Sequence, residues 1–456
     1  MEGLIMAGQL ILGLSILVTL HEFGHFITAK WFKMRVDKFY LFFDFLFPIP
    51  TVLNFALFKK KVGDTEYGLG WFPLGGYVSI AGMIDETQDA ATLAKEPEPW
   101  EFRAKPAYQR LIVMLGGVIV NVITGVVIFV ALTFSNGNNF ISKEELNKNG
   151  IVALELGQQI GLKTGDKVVK VNGADYKSLA DLRTSDVLLG ENSSYTVLRD
   201  GQEIEVKIPS NFIEKLSDKK AAFIEPVAAF KVAEVAAPEE PGSEKGELLP
   251  AYSAGLKSGD YITAVNGQTI HFYHEIKAAL AKEAGKPIKL AITRQGKSDT
   301  LSMVVAKTGQ IGFIPELLIK TTHEDYTFIE SVQIGTGRAF SVISDNIRGF
   351  KKIATGDVSA SKALSGPIGI AQMFGGVWDW TRFWMLTGLL SMALAFMNIL
   401  PIPALDGGHA VFLIYEMITG KPASEKVLER AQQVGMLILL ALMAYTFGND
   451  IFKVFF

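Results

Sequence analysis

The chain has 456 residues, 44 Lys and Arg against 47 Asp and Glu, and no cysteine. Its length calls for several domains, and its near-neutral charge argues against a nucleic-acid partner, which needs a concentrated basic surface. Without cysteine there is no disulfide framework, thiolate metal site or Cys nucleophile, so a transition metal must be held by His, Asp or Glu.

The composition is 49% apolar with a mean hydropathy of +0.27, which points to a membrane. Four stretches approach the roughly 20 apolar residues that cross a bilayer: about Leu4–Ala29, Leu111–Phe134, Phe383–Leu400 and the shorter Val434–Phe447. The first is apolar except for a cluster at His21 to His25. It is too long for a signal-peptide core, and Lys30, Lys33 and Arg35 follow it where a cleavage site would need small residues, so it reads as a retained anchor. Eleven Lys and Arg from Lys30 to Arg110 place the loop between the first two spans in the cytoplasm. Both chain ends and the region from 135 to about 380 then face the other side, which in a bacterium is the periplasm. That predicts a multi-pass protein of the inner membrane.

Residues 36–80 are too aromatic for an ordinary loop: Phe39-Tyr-Leu-Phe-Phe43, Phe45 and Phe47, then Tyr67 to Tyr77 with glycines at 68, 70, 75 and 76. Their partial alternation predicts β-hairpins dipping into the membrane interface, where irregular backbone survives only beside protein or a water-filled cavity. An edge offered by Tyr67, Gly68, Gly70, Gly75 and Gly76 could accept an extended substrate. Plain interfacial packing is the alternative.

An internal repeat follows the second span. Gly161-Leu-Lys-Thr-Gly-Asp-Lys-Val-Val-Lys-Val-Asn-Gly173 returns as Gly255-Leu-Lys-Ser-Gly-Asp-Tyr-Ile-Thr-Ala-Val-Asn-Gly267. Eight of the thirteen positions are identical. Each copy reads as a helix end, a Gly-Asp turn, a strand and an Asn-Gly turn into the next strand. Two small α+β domains are implied, at 138–225 and 226–320, and each resembles a PDZ domain of a bacterial envelope protease. Ala236–Gly246 reads as a surface loop, and Gln310–Ile314, with Gly312 and Phe313, as a carboxylate-binding loop. Such modules would act either as a size filter over the outer face or as peptide sensors.

The chemistry concentrates in His21-Glu22-Phe23-Gly24-His25, an HExxH pattern. On a helix its two imidazoles stand one turn apart on one face and can share a zinc ion, with Glu22 beside it as general base. A structural His pair is the bland alternative, but three ionisable groups in a span are costly without a function. No downstream ligand of the soluble zincin type follows His25. The best source of a third ligand is Asn398-Ile-Leu-Pro-Ile-Pro-Ala-Leu-Asp-Gly-Gly-His409. There Pro401 and Pro403 break the helix, and Asp406 is expected in a non-helical position at membrane depth. The alternative is that Asp406 is an N-cap at the interface. His409 is assigned a supporting role, and His271, His274 and His323 read as surface histidines.

The HExxH in a first span, the NxxPxPxLDG stretch in a later one, the two PDZ-like repeats and Leu364-Ser-Gly-Pro-Ile-Gly-Ile370 together resemble the site-2 protease family over essentially the whole chain. The resemblance implies an intramembrane zinc metalloprotease with one zinc per chain, held by His21, His25 and Asp406, with Glu22 catalytic and Asn398 contacting unwound substrate backbone. It also implies a single-span substrate, either an anti-sigma factor already trimmed by an upstream site-1 protease or a remnant signal peptide. One departure stands in the second span. The family often has Gly-Pro ahead of an Asn, and this chain has Gly116-Gly117-Val-Ile-Val-Asn121.

The expected fold is a polytopic α-helical membrane protein of four transmembrane helices, with a membrane-associated β-hairpin region and two PDZ-like domains inserted between spans 2 and 3. The membrane core would comprise 1–135 and 381–456, with a linker and amphipathic helices at 321–380. A non-proteolytic scaffold or metal transporter is the rival. A transporter would spread polar residues over several spans, whereas here the ionisable residues gather at His21 to His25 and Asp406.

Overall fold

The structure is a computed structural model that describes residues 1–45, 53–73, 75–83, 96–219, 222–236 and 250–455. Phe47 and most of the Ala236–Gly246 loop lie outside the described residues. The chain divides into two units, Met1–Asn138 with Asp325–Phe456, and Asn139–Glu324.

In chain order the first unit holds helix α1 (Glu2–Trp31), strands β1 (Val36–Leu41), β2 (Ala56–Val62), β3 (Thr65–Gly70) and β4 (Tyr77–Ile80), and helix α2 (Ala107–Asn136). After the inserted unit come α3 (Phe328–Ala354), α4 (Pro367–Phe374), α5 (Trp380–Ile399), α6 (Asp406–Thr419) and α7 (Glu425–Phe455). Among the described residues four helices are long and apolar enough to cross a membrane: α1, α2, α5 and residues Lys426–Lys453 of α7. Each covers one of the stretches picked out by hydropathy, α5 ending one residue short of Leu400. The fourth is twice as long as its apolar stretch, because the polar residues from Glu425 to Gln433 continue the helix without adding hydropathy.

Helix boundaries follow local chemistry. Pro106 precedes α2 and Gly137 (φ 57°) ends it. Thr327 and Glu330 form a reciprocal capping box at the start of α3. α5 stops at Ile399, ahead of Pro401, and Gly420 (φ 71°) ends α6 in the left-handed region.

α1 and α2 cross with almost no side chain between them. A Cβ on Gly116 would stand 2.5 Å from the Gly24 carbonyl oxygen and 2.8 Å from Thr28 Oγ1, and one on Gly24 would strike the Gly116 backbone. α5 closes on the other side of α2, where Ser391 Oγ donates to the Asn121 carbonyl at 2.8 Å. The end of α7 is tied to α4 by Asp450, whose carboxylate accepts the backbone N–H of Gly366, Ile368 and Gly369 at 2.8–3.0 Å. The Ser-Gly-Pro-Ile-Gly stretch is thereby explained. A Cβ on Gly366 would meet the Asp450 carboxylate, and Pro367 at the first helical position has no N–H to satisfy.

The aromatic region forms one sheet of order β2-β3-β1-β4. β2 and β3 are a hairpin turning at Gly63-Asp64, and β1 pairs with β4 antiparallel. β1 runs parallel to β3, however, so the region is not a set of simple hairpins. β3 is hydrogen-bonded on both sides, and β4 is an edge.

In the second unit two separate apolar cores form, one from Leu146 to Ile224 and one from Phe230 to Ile311. The repeat is visible as chemistry. Asp166 accepts the Lys163 N–H and pairs with Arg199, whose guanidinium also donates to the Gly161 carbonyl. Asp260, Lys257, Arg294 and Gly255 repeat that arrangement. Asn172 and Asn266, both at φ 50°, each accept a backbone N–H from the neighbouring strand, from Ser194 and Lys289.

Burial pushes the Asp260 carboxyl up, but the Arg294 guanidinium and the Lys257 N–H outweigh it and hold it below the usual carboxylate range. A carboxyl depressed in this way contributes stability that is present above its unfolded pKa and is lost as pH falls through the folded value. Arg294→Met should destabilise the second core by up to about 3 kcal/mol at neutral pH. The difference from wild type should shrink below about pH 4, where the unfolded carboxyl protonates. Hydrogen exchange of strand Pro287–Arg294 in the full chain measures both.

Gly116→Val should force α1 and α2 apart, since the opposing atoms are backbone. The expected loss is about 1–3 kcal/mol or more, read as a lower Tm in detergent together with lost metal binding.

Candidate metal centre

His21 and His25 stand one turn apart on α1, with ring centroids 4.8 Å apart and Nε2 atoms 3.2 Å apart. Opposite them Asp406 Oδ2 lies 3.3 Å from His21 Nε2 and 3.4 Å from His25 Nε2. This Oδ2 is buried and has no hydrogen-bond partner among the described residues. Three donor atoms at the corners of a triangle with edges of 3.2–3.4 Å fit one cation. Zinc bonds of about 2.0–2.1 Å in a tetrahedron require edges of about 3.3–3.4 Å. The donor set of two imidazoles and a carboxylate also suits zinc, and it leaves a fourth vertex for water or substrate.

The His25 tautomer agrees. His25 Nδ1 lies 2.8 Å from the Val113 carbonyl, which can only accept, so Nδ1 carries the proton and Nε2 keeps its lone pair for a metal. Gly117 of α2 backs directly on the two rings: a Cβ there would stand 2.5 Å from His21 Cε1 and 2.6 Å from His25 Nε2.

Asp406 corrects the sequence-based expectation. It is the first residue of α6, not a non-helical residue, and it is not the N-cap: Leu405 is, without a side-chain cap. A helix begins here because Gly407 and Gly408 let α6 fold back on the Ile399–Pro403 backbone, where any Cβ would collide. Ala404 at φ 99° makes the turn, and strained backbone of this kind clusters at functional sites.

Glu22 lines the same cavity of about 210 Å³ as His21, His25, Asp406, Gly76, Tyr77 and Val78. Val78 of the edge strand β4 lines that cavity beside Glu22. Asn398, in the last turn of α5, has its Nδ2 3.4 Å from His21 Nε2. His409 and Gln432 also line the cavity.

The strand residues need correction. Tyr67, Gly68 and Gly70 belong to β3, which has neighbours on both sides and offers no free edge. Tyr67 packs on Phe26 and Phe39. Gly68 is needed because a Cβ would enter the Tyr40 ring, Gly70 because one would strike the Phe43 backbone, and Gly75 because one would lie 2.5 Å from the Phe43 ring. The edge beside the site is β4, reached through Gly76. Alternation alone could not reveal this, since it reports faces and not strand order. In the other unit Gly312 (φ 86°) and Phe313 line a groove of about 370 Å³ with Tyr273, Ile276 and Lys277.

Spanning helices that gather two histidines, a carboxylate and a second acid around one cavity define a membrane metallopeptidase. Residues 9–442 match the model of Peptidase family M50. The chain belongs to that family, and its activity is that of a site-2 type metalloprotease. It is 28% identical to Protease RseP of Yersinia pestis, over 96% of this chain and 97% of that one. It is 29% identical to the regulator of sigma-E protease RseP of Escherichia coli K12, over 96% and 97%. A Neisseria meningitidis chain that carries a provisional zinc metalloprotease name is 28% identical over 97% of each chain.

Asp406→Asn should lower zinc occupancy as well as activity, since a neutral amide is a poor ligand. Metal analysis of the purified variant checks this, and a fully loaded but inactive variant would remove Asp406 from the ligand set.

Proposed function

We propose that the chain cleaves single-span membrane proteins within the bilayer, with one zinc held by His21, His25 and Asp406 and with Glu22 as general base. The observation that carries this reading is the 3.2–3.4 Å triangle of donor atoms in one cavity with Glu22. Bound zinc supplies a Lewis acid that acidifies water and polarises a scissile carbonyl. Glu22, in the same cavity, would accept a proton from the attacking water and return it to the leaving amide nitrogen.

A helical substrate has its carbonyls tied up, so a stretch must unwind and find new backbone partners before it can be cut. β4 provides them as an edge strand along the cavity wall, with substrate added as a further strand. Asn398, with its Nδ2 3.4 Å from His21 Nε2, offers both donor and acceptor to the same stretch.

Relatives named for regulation of sigma-E support an anti-sigma factor as substrate, trimmed beforehand by an upstream site-1 protease; a remnant signal peptide meets the same requirement of a short ectodomain. The basic residues between the first two spans support a cytoplasmic location for that loop, with both termini and the repeat domains in the periplasm. Residues 138–225 and 226–320 are read as PDZ-like modules. The groove at Gly312 and Phe313 favours capture of an extended peptide by the second.

Glu22→Gln is nearly isosteric. It should keep fold and zinc content while the rate on a model membrane helix in liposomes falls by about 10²–10⁴-fold or more. Near-wild-type turnover would sink the assignment of the base.

A further inference from the structure

Asn121 is fully buried on α2, one helical turn beyond Gly117. Its amide nitrogen stands 3.2 Å from His21 Nδ1, and its Oδ1 is buried without a partner among the described residues. The position is a built one: the Asn121 carbonyl is held at 2.8 Å by Ser391 Oγ of α5, itself fully buried. The Val113 carbonyl meets His25 Nδ1 two turns earlier on α2. One face of α2 thus addresses the Nδ1 atoms of both histidines, at positions 113 and 121, across the glycine at 117.

Taking His21 as a metal ligand through Nε2, which rests on the function proposed above, the imidazole must keep its proton on Nδ1. The neighbour of Nδ1 must then accept. A carboxamide can present either end, and the two ends occupy nearly the same volume. An amide nitrogen turned to Nδ1 would drive the proton to Nε2, where it would occupy the ligand position. We propose that Asn121 is the positioning residue of His21, presenting its side-chain oxygen to Nδ1–H and so fixing the tautomer that binds metal. The two histidines are then set by different acceptors on the same helix, a main-chain carbonyl for His25 and a side chain for His21. Only the second can be changed by substitution.

The test is zinc affinity of the full-length protein in detergent, read by competition with a chromogenic chelator. Asn121→Leu removes the acceptor and should weaken zinc about 10–100-fold. Asn121→Asp can only accept and should hold zinc within about threefold of wild type. Equal losses in the two variants, or wild-type affinity in Asn121→Leu, would overturn the proposal.

Nitrogen-15 NMR of the wild-type protein, labelled at histidine, reads the tautomer without any substitution. The two imidazoles that respond to zinc should both keep a protonated Nδ1 and bind through Nε2. Metal on Nδ1 of either would overturn the proposal independently of how the variants fold. His25→Ala separates the two readings: wild-type zinc affinity in that variant would sink the metal centre itself, whatever Asn121 does.

Discussion

The closeness of α1 and α2 controls the catalytic end of the molecule. Packed helices ordinarily lie 8–10 Å apart, at a distance set by the side chains between them, and in a membrane small residues are what let backbones approach more closely. Here Gly24 meets Gly116, and Gly117 lies against both histidine rings. At an ordinary separation the Val113 carbonyl would not reach His25 Nδ1, and the rings would be free to rotate on α1. With the helices in contact, residues 113, 117 and 121 of one helix meet 21 and 25 of the other along matching turns. The Gly116-Gly117 pair provides this contact.

A second consequence is the direction from which the third candidate donor, Asp406, arrives. α2 occupies one side of the His pair and the sheet another, with Val78 of β4 beside Glu22. The Pro-rich turn after α5 supplies the remaining side. Its two prolines end one helix, and its two glycines let the next begin within van der Waals distance of the same backbone. The reversal delivers Asp406 on a rigid helix terminus, so the carboxylate needs no flexible loop to reach the histidines. The positive φ at Ala404 is a local cost of that reversal.

Much of this was legible in the sequence, for identifiable reasons. Apolar runs of span length are one-dimensional signals, and so is the i, i+4 spacing of His21 and His25. The repeat was legible because its Gly-Asp and Asn-Gly turns are local. Its stabilising partners, Arg199 and Arg294, were not singled out. They lie more than thirty residues beyond their aspartates and carry no pattern of their own, although comparing the two copies further along would have found an Arg near the same offset. Strand order in the aromatic region was illegible because a parallel pairing of β1 with β3 depends on a crossover that alternation does not encode. The helical state of Asp406 was missed because the prolines signal a break but not where the next helix starts.

The aspartates of the fold show why Asp406 stands apart. Asp166 and Asp260 are almost fully buried, and each is paired with an arginine and a backbone N–H. Asp450 has three backbone donors from the start of α4. Burial of a carboxylate is tolerated in each case because its lone pairs are occupied. Asp406 has only two imidazole nitrogens near its buried oxygen, and His25 Nδ1 is committed to the Val113 carbonyl. A carboxylate that faces imidazole nitrogens at this distance needs a proton or a metal cation between them. The same fold satisfies its other buried aspartates with hydrogen bonds, so the shortage of donors at Asp406 is specific to this site. Two imidazoles and one carboxylate oxygen converging this closely, with no arginine or backbone donor among them, are a donor set that could hold a metal ion.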